Sequence, residues 1–239
     1  DDVIFGGETV QLFLDSLEKV LKRLQEHDIT VNPDKCTFGV TSIENVGPVI
    51  DYTGLTFSQS KRDGVMEFPL PQTEKQLHSF LGLGNYFRDH IDHYTEHSAL
   101  LYQLLSHHGK TKTLLEWTPE LMQQFEQLKE KIYNCPKLYF LNDKDPIHLC
   151  TDASKYGIGA YLYQIDGVEH PIQFISMTLD ATRQRWSVPE KEAFAIYYAL
   201  TKLEYLLRDR FFHLHTDHRN LTFINEKAAT SSKIYNWKL

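Results

Sequence analysis

The chain has 239 residues, 41% of them apolar, and a formal net charge of -7. That length suits one large or two ordinary domains with packed cores. The acidic balance argues against a chain that grips nucleic acid by bulk charge alone, although clustered carboxylates that hold metal ions would also make a total negative. No run of roughly 20 apolar residues suggests a membrane span, and no basic leader opens the chain, so an intracellular, cytoplasmic, non-exported protein without membrane partners is expected. Cys36, Cys135 and Cys150 lie far apart and lack zinc-ligand spacing, which predicts reduced, buried thiols.

In chain order, "TVQLFLDSLEKVLKRLQEHDI" spaces Leu14, Leu17, Val20, Leu21 and Leu24 helically, predicting an amphipathic helix of about five turns. "TVNPDKCTFGV" and "IENVGPVIDYTGLTF" predict short strands broken by Asn-Pro, Gly-Pro and Thr-Gly turns. In "PQTEKQLHSFLGLGNYF", Thr73 and Gln76 form a capping-box pattern ahead of Leu77, Phe80 and Leu81, so a helix starts there and weakens at Gly82 and Gly84. "TPELMQQFEQLKEKIYNCP" predicts another, with Leu121, Met122, Phe125, Leu128 and Ile132 on one face and Pro136 as its stop.

The character changes at the turn-rich "NDKDP" near residue 143. Three strand-like runs follow, "IHLCTDAS", "GIGAYLYQ" and "HPIQFISM". Then comes the long helix "SVPEKEAFAIYYALTKLEYLL", with Ala193, Ile196, Tyr197, Leu200, Leu203 and Leu207 inward, and a fourth strand "FFHLHTD". Three meandering strands with a helical crossover predict a mixed sheet with packed helices.

Carboxylates fall where open α/β sheets build sites: Asp152 at the end of the first of these strands, Glu192 in the first turn of the long helix, and Asp217 at the end of the fourth strand. Three converging carboxylates repel one another unless a cation joins them, and magnesium, with its hard oxygen ligands, suits them. A single Asp at a strand end is more often a turn or cap residue. Glu190 competes with Glu192, but Ser187 and Glu190 fit the S-x-x-E capping box, which leaves Glu192 for a ligand role. His218 reads as a cap or surface residue, and Tyr197 and Tyr198 as core.

"LCTDASKYGIGAYLYQ", "SVPEKEAFAIYYALTKLEYLL" and "LHTDHRNLTFIN" resemble successive motifs of the ribonuclease H domain of gypsy-like retrotransposon polyproteins. Upstream, "LEKVLKRLQEHDITVNPDKCTFGV", "VGPVIDYTGL" and "FPLPQTEKQLHSFLGLGNYFRDHI" resemble the end of the reverse transcriptase palm and the thumb. The resemblance implies α+β and α/β architecture. Residues 1–70 would be the end of the palm and 71–142 the helical thumb and connection. Residues 143–239 would be a ribonuclease H-like fold with a mixed five-stranded sheet, truncated before its last strand.

By the same resemblance, Asp152, Glu192 and Asp217 match metal-binding catalytic carboxylates. Asp1 and Asp2 match the paired aspartates of the polymerase motif, Asp1 as a metal ligand. Val46 and Gly47 match the turn that grips the primer end, with Pro48 where a histidine is usual, and Asn85, Tyr86 and Arg88 match template-primer contacts. The implied cofactor is Mg2+ or Mn2+. The implied partners are an RNA-DNA hybrid, a template-primer duplex and other parts of the polyprotein. The implied activities are RNA-directed DNA polymerase and hybrid-specific endonuclease. The polymerase needs a third aspartate from an earlier strand and the nuclease a fourth from a later segment, so the chain as given is expected not to polymerise and to cleave weakly. The alternative is an inactive or host-adopted nucleic-acid-binding remnant of the same fold.

Overall fold

The computed structural model describes residues 3–107 and 114–218. Asp1, Asp2 and the segment from 219, where a further helix is expected, lie outside the described residues. The chain divides into two compact units, residues 1–41 and 42–239.

The first unit is built around α1 (Val10–Glu26). Thr9 caps it by accepting from the Leu12 N–H at 3.2 Å, and the Lys22–Glu18 pair at 2.6 Å joins successive turns. The helix ends as Asp28 turns left-handed (φ 53°), which lets Ile29 N–H reach back to the Leu24 carbonyl at 2.9 Å. Phe13, Leu17, Val20 and Leu24 form its half-buried stripe, while Leu14 and Leu21 are exposed. The strand expected in "TVNPDKCTFGV" does not form. Asn32 accepts from the Asp34 N–H at 3.0 Å and turns Pro33–Lys35 into a single 3-10 turn, a local bond that displaces ladder pairing.

The second unit begins with an antiparallel sheet, β1 (Ser42–Glu44), β2 (Pro48–Asp51), β3 (Gly54–Phe57) and the distant β4 (Leu138–Tyr139), in that order. The turn joining β2 and β3 is tied by Asp51, whose carboxylate accepts from Thr53 N–H (2.8 Å), Thr53 Oγ1 (2.7 Å) and Gly54 N–H (3.0 Å) and pairs with Lys137. These partners, Lys137 foremost, hold its carboxyl far below the usual carboxylate range.

Four helices follow: α2 (Gln59–Met66), α3 (Glu74–Tyr86), α4 (Tyr94–His107) and α5 (Pro119–Tyr133). The capping box forms as expected, Gln76 N–H donating to Thr73 Oγ1 at 3.3 Å and Thr73 N–H to Gln76 Oε1 at 3.1 Å. Gly82 and Gly84 do not end α3; Gly84 is buried, with Tyr94 and Ile132 packed close against it. Phe80, Phe125, Leu77, Leu81, Leu128 and Ile132 form the core of this region. Met122 departs from the expected inward face and is exposed. Arg62 reaches past the end of α5, donating to the carbonyls of Tyr133 (2.9 Å) and Cys135 (3.0 Å), which would otherwise lack intrahelical donors.

The last layer is a mixed sheet of β5 (Ile147–Ala153), β6 (Gly157–Ile165), β7 (Glu169–Thr178) and β8 (Phe212–His215), ordered β7-β6-β5-β8. β8 runs parallel to β5, after the crossover formed by α6 (Val188–Lys202) and α7 (Glu204–Leu207). The predicted single helix therefore breaks at Leu203, which is fully buried between α6 and α7 and leaves helical dihedrals (φ -98°, ψ 8°). Leu149, Leu162, Ala199 and Leu203 are fully buried between α6 and the sheet. On edge strand β7, Pro171 pairs with Tyr163 beside the register shift between Leu162 and Tyr163, the kind of position that tolerates proline.

Candidate metal centre

Three elements deliver one carboxylate each. Asp152 lies one residue before the end of β5. β5 and β8 are in register from Ile147 opposite Phe212 to Cys150 opposite His215. Continued for two residues, that register sets Asp217 opposite Asp152, although Asp217 lies just beyond the strand rather than inside it. Glu192 is the fifth residue of α6, in its second turn rather than the first. One ligand oxygen from each of Asp152, Glu192 and Asp217 lies within 4.8 Å of the others.

The environments differ. Asp152 and Asp217 are exposed, whereas Glu192 is 3% exposed and its Oε2 has no hydrogen-bond partner. Burial, followed by the neighbouring charges of Asp217 and Asp152, pushes the Glu192 pKa up to about 7 from 4.5; the Ala153 backbone bond opposes the rise. A buried orphan oxygen facing two more carboxylates costs stability by itself. A hard divalent cation would satisfy it, since such an ion takes carboxylate oxygens and keeps several waters. The donor set therefore fits Mg2+ or Mn2+, and contains no soft ligand.

Competition at the helix start resolves as the capping pattern implies. Ser187 donates from its N–H (3.0 Å) and Oγ (2.9 Å) to Glu190 Oε2, so Glu190 is engaged at the N-terminus while Glu192 points to the other carboxylates. His218 N–H donates to Thr216 Oγ1 at 3.3 Å, and its ring Nε2 is buried without a partner.

The expected nucleic-acid residues lie elsewhere. Val46 and Gly47 form the turn between β1 and β2. Asn85 is exposed near the end of α3, and Tyr86 donates its hydroxyl to the Val46 carbonyl. Arg88 is turned inward: it donates to the Ser176 carbonyl on β7 at 2.7 Å and to Asn85 Oδ1 at 3.1 Å, with its guanidinium 5.7 Å from the Tyr94 ring centroid. Those bonds use one donor on each of Nη1 and Nη2 of the guanidinium. A neighbour that no sequence motif announces is His93. Its ring lies where a side chain on Gly159 would be, 2.8 Å from the position a Cβ would take, and Gly159 is the cross-strand partner of Asp152. The G-I-G at 157–159 was the available signal, since strand glycines often mark close approach.

A mixed sheet with a helical crossover and a carboxylate trio at the end of its parallel pair defines an RNase H-like domain. Residues 142–239 match the family described as the RNase H-like domain found in reverse transcriptase. The whole chain is 31% identical to the retrovirus-related Pol polyprotein from transposon opus of Drosophila melanogaster and 32% identical to that from transposon gypsy of the same fly, aligning over 25% and 24% of those proteins. It is 29% identical to the transposon Tf2-3 polyprotein of Schizosaccharomyces pombe, over 18% of that protein. The chain thus spans about a quarter or less of these curated relatives. A foamy viral protease-reverse transcriptase in complex with RNA/DNA hybrid superposes with a TM-score of 0.77 at 25% identity, covering 98% of this chain and 32% of that one. Its dRH form in complex with double-stranded DNA gives 0.76 at 25% identity, with 98% and 42% covered. Residues 142–239 thus match a model of the RNase H-like domain found in reverse transcriptase, and the whole chain is similar to retrotransposon Pol polyproteins, that of gypsy among them. No helix among the described residues is long and apolar enough to cross a membrane.

Proposed function

We propose that this chain is a segment of a retroelement Pol polyprotein. Residues 1–70 end the reverse transcriptase palm, residues 71–142 form the thumb and connection, and residues 143–239 cleave the RNA strand of RNA-DNA hybrids. The observation that carries this reading is the gathering of one oxygen each from Asp152, Glu192 and Asp217 within 4.8 Å of one another, with Glu192 buried and its Oε2 without a hydrogen-bond partner. Asp152, Glu192 and Asp217 would hold Mg2+ or Mn2+. Bound divalent cations supply an activated water and stabilisation of the leaving oxygen in phosphodiester hydrolysis.

The chain's own residues prepare that chemistry. Glu192 approaches from α6 on the buried side of the site and would give up its proton on binding a divalent ion. Asp152 and Asp217 stand on the solvent side, where a phosphodiester can enter. Ser187 and Glu190 fix the start of α6 and hence the reach of Glu192. The hybrid and the template-primer duplex would be met by Val46, Gly47, Asn85, Tyr86 and Arg88 around the far end of α3, by contacts that position a backbone and read no sequence. Asp1 and Asp2 would contribute to polymerisation in the longer polyprotein.

A magnesium titration on a labelled RNA-DNA hybrid tests the reading. Cleavage of the RNA strand that requires the divalent ion and disappears in Asp152→Asn supports it. Hybrid binding with no cleavage at any magnesium or manganese concentration would favour the binding remnant instead.

A further inference from the structure

The turn between β1 and β2 is held in a conformation that its residues would not choose. Val46 is left-handed (φ 50°), an outlier for a β-branched residue, and Gly47 follows at φ 116°. Val46 is also 80% exposed, so no core contact of its own side chain compensates. Strain of this kind persists only where the surroundings impose it, and it concentrates at functional positions.

The surroundings are specific. Asn45 N–H donates to the Pro48 carbonyl at 2.9 Å and closes the turn from within. From outside, Tyr86 at the end of α3 donates its hydroxyl to the Val46 carbonyl. The Tyr86 ring is seated against Phe57 and Phe87, with centroids 5.4 and 5.6 Å away, so the hydroxyl is aimed by the core of the helical region. A Cβ on Gly47 would overlap that hydroxyl and lie 2.8 Å from Lys61 Nζ, so the turn fits Tyr86 only with glycine there. Burial raises the Tyr86 pKa above its ordinary value, which keeps the donor protonated. Lys61, paired with Glu44 at 3.1 Å, puts a cation beside the turn.

We propose that Tyr86 is a positioning residue. Its hydroxyl pins the Val46–Gly47 turn in the strained form, so that Val46 and Lys61 stand out as the contact for a nucleic-acid backbone. This rests on the nucleic-acid reading given above, and changes the part played by Tyr86 in it: the hydroxyl is spent on the turn and does not touch the duplex.

The test uses the whole chain and a fluorescein-labelled RNA-DNA hybrid, read by anisotropy, together with amide hydrogen exchange at residues 45–47. Tyr86→Phe keeps the ring and removes only the hydroxyl. Loss of one hydrogen bond corresponds to about fivefold. The variant is expected to bind the hybrid about fivefold more weakly and to exchange the turn amides about fivefold faster, with exchange in β5 unchanged. Lys61→Ala is expected to weaken binding and leave turn exchange as it was. Weaker binding by Tyr86→Phe with unchanged exchange would mean that Tyr86 meets the duplex directly, and overturns the proposal. Faster exchange with unchanged affinity overturns it too, because the turn would then not be the contact. A wild-type chain that leaves the hybrid unbound removes the underlying nucleic-acid reading, a failure distinct from either result with the variants.

Discussion

Replacing Glu192 with glutamine should make the metal-free protein more stable at neutral pH, an unusual outcome for a buried site residue. In the folded chain Glu192 ionises near 7, and in the unfolded chain near 4.5. The folded state therefore binds the extra proton between these values. Stability from this group is fully present below about pH 4.5 and is lost as pH rises to about 7. The interval corresponds to about 2 to 3 kcal/mol at neutral pH after allowance for solvent reaching the open side of the site. Glutamine carries no charge and avoids that loss. For a chain of this size the gain corresponds to roughly 5–10 °C in Tm. The assay is thermal unfolding of wild type and Glu192→Gln in chelator from pH 5 to 8, repeated with magnesium. The two proteins should diverge progressively with rising pH. Added magnesium should raise the wild-type Tm by mass action and leave the variant nearly unmoved. Parallel pH curves, or a variant less stable than wild type at pH 7.5 without divalent ions, would refute the electrostatic account of the site.

Phe80→Ala, at a fully buried position packed against Phe68 and Phe125 (centroids 5.3 and 4.5 Å), should lower unfolding free energy by about 3–5 kcal/mol in denaturant titration. Thr73→Ala removes one half of the α3 capping box and should cost about 1 kcal/mol by the same measurement, with little effect on β5–β8 exchange. His90 is buried with its Nδ1 3.0 Å from the Pro136 carbonyl, and burial holds its pKa below 6.5. The unfolded chain therefore takes up this proton first as pH falls below 6.5, and stability drops. His90→Gln should flatten that acid limb in pH-dependent unfolding; an unchanged slope would show that other groups set it.

Most elements of the second unit were legible because their local signals agree with one another. Thr73 and Gln76 specify a helix start whatever surrounds them, and the alternation in "IHLCTDA" specifies a half-buried strand. Ser187 and Glu190 single out Glu192 by elimination as the glutamate of α6 free to join the other carboxylates, since Glu190 has a local capping partner. Local competition misled elsewhere. Asn32 bonds its own backbone and converts an expected strand into a turn. Leu203 has the right spacing to continue a helix, yet its backbone leaves helical dihedrals and splits the run into two helices.

The sequence by itself determined the residue types that chemistry requires and the elements that carry them, since propensity, capping and periodicity act over a few residues. Only the tertiary structure decided which groups meet. The parallel register of β8 on β5 sets Asp217 opposite Asp152, a pairing across more than sixty residues that no local pattern encodes. The fold also turned Arg88 inward to the Ser176 carbonyl and gave the Tyr86 hydroxyl to Val46, because a donor's partner is fixed by packing. And it buried Glu192 while leaving Asp152 and Asp217 in solvent, so that three chemically similar carboxylates became one raised acid and two exposed carboxylates: burial, a property of the whole fold, sets the cost of each charge.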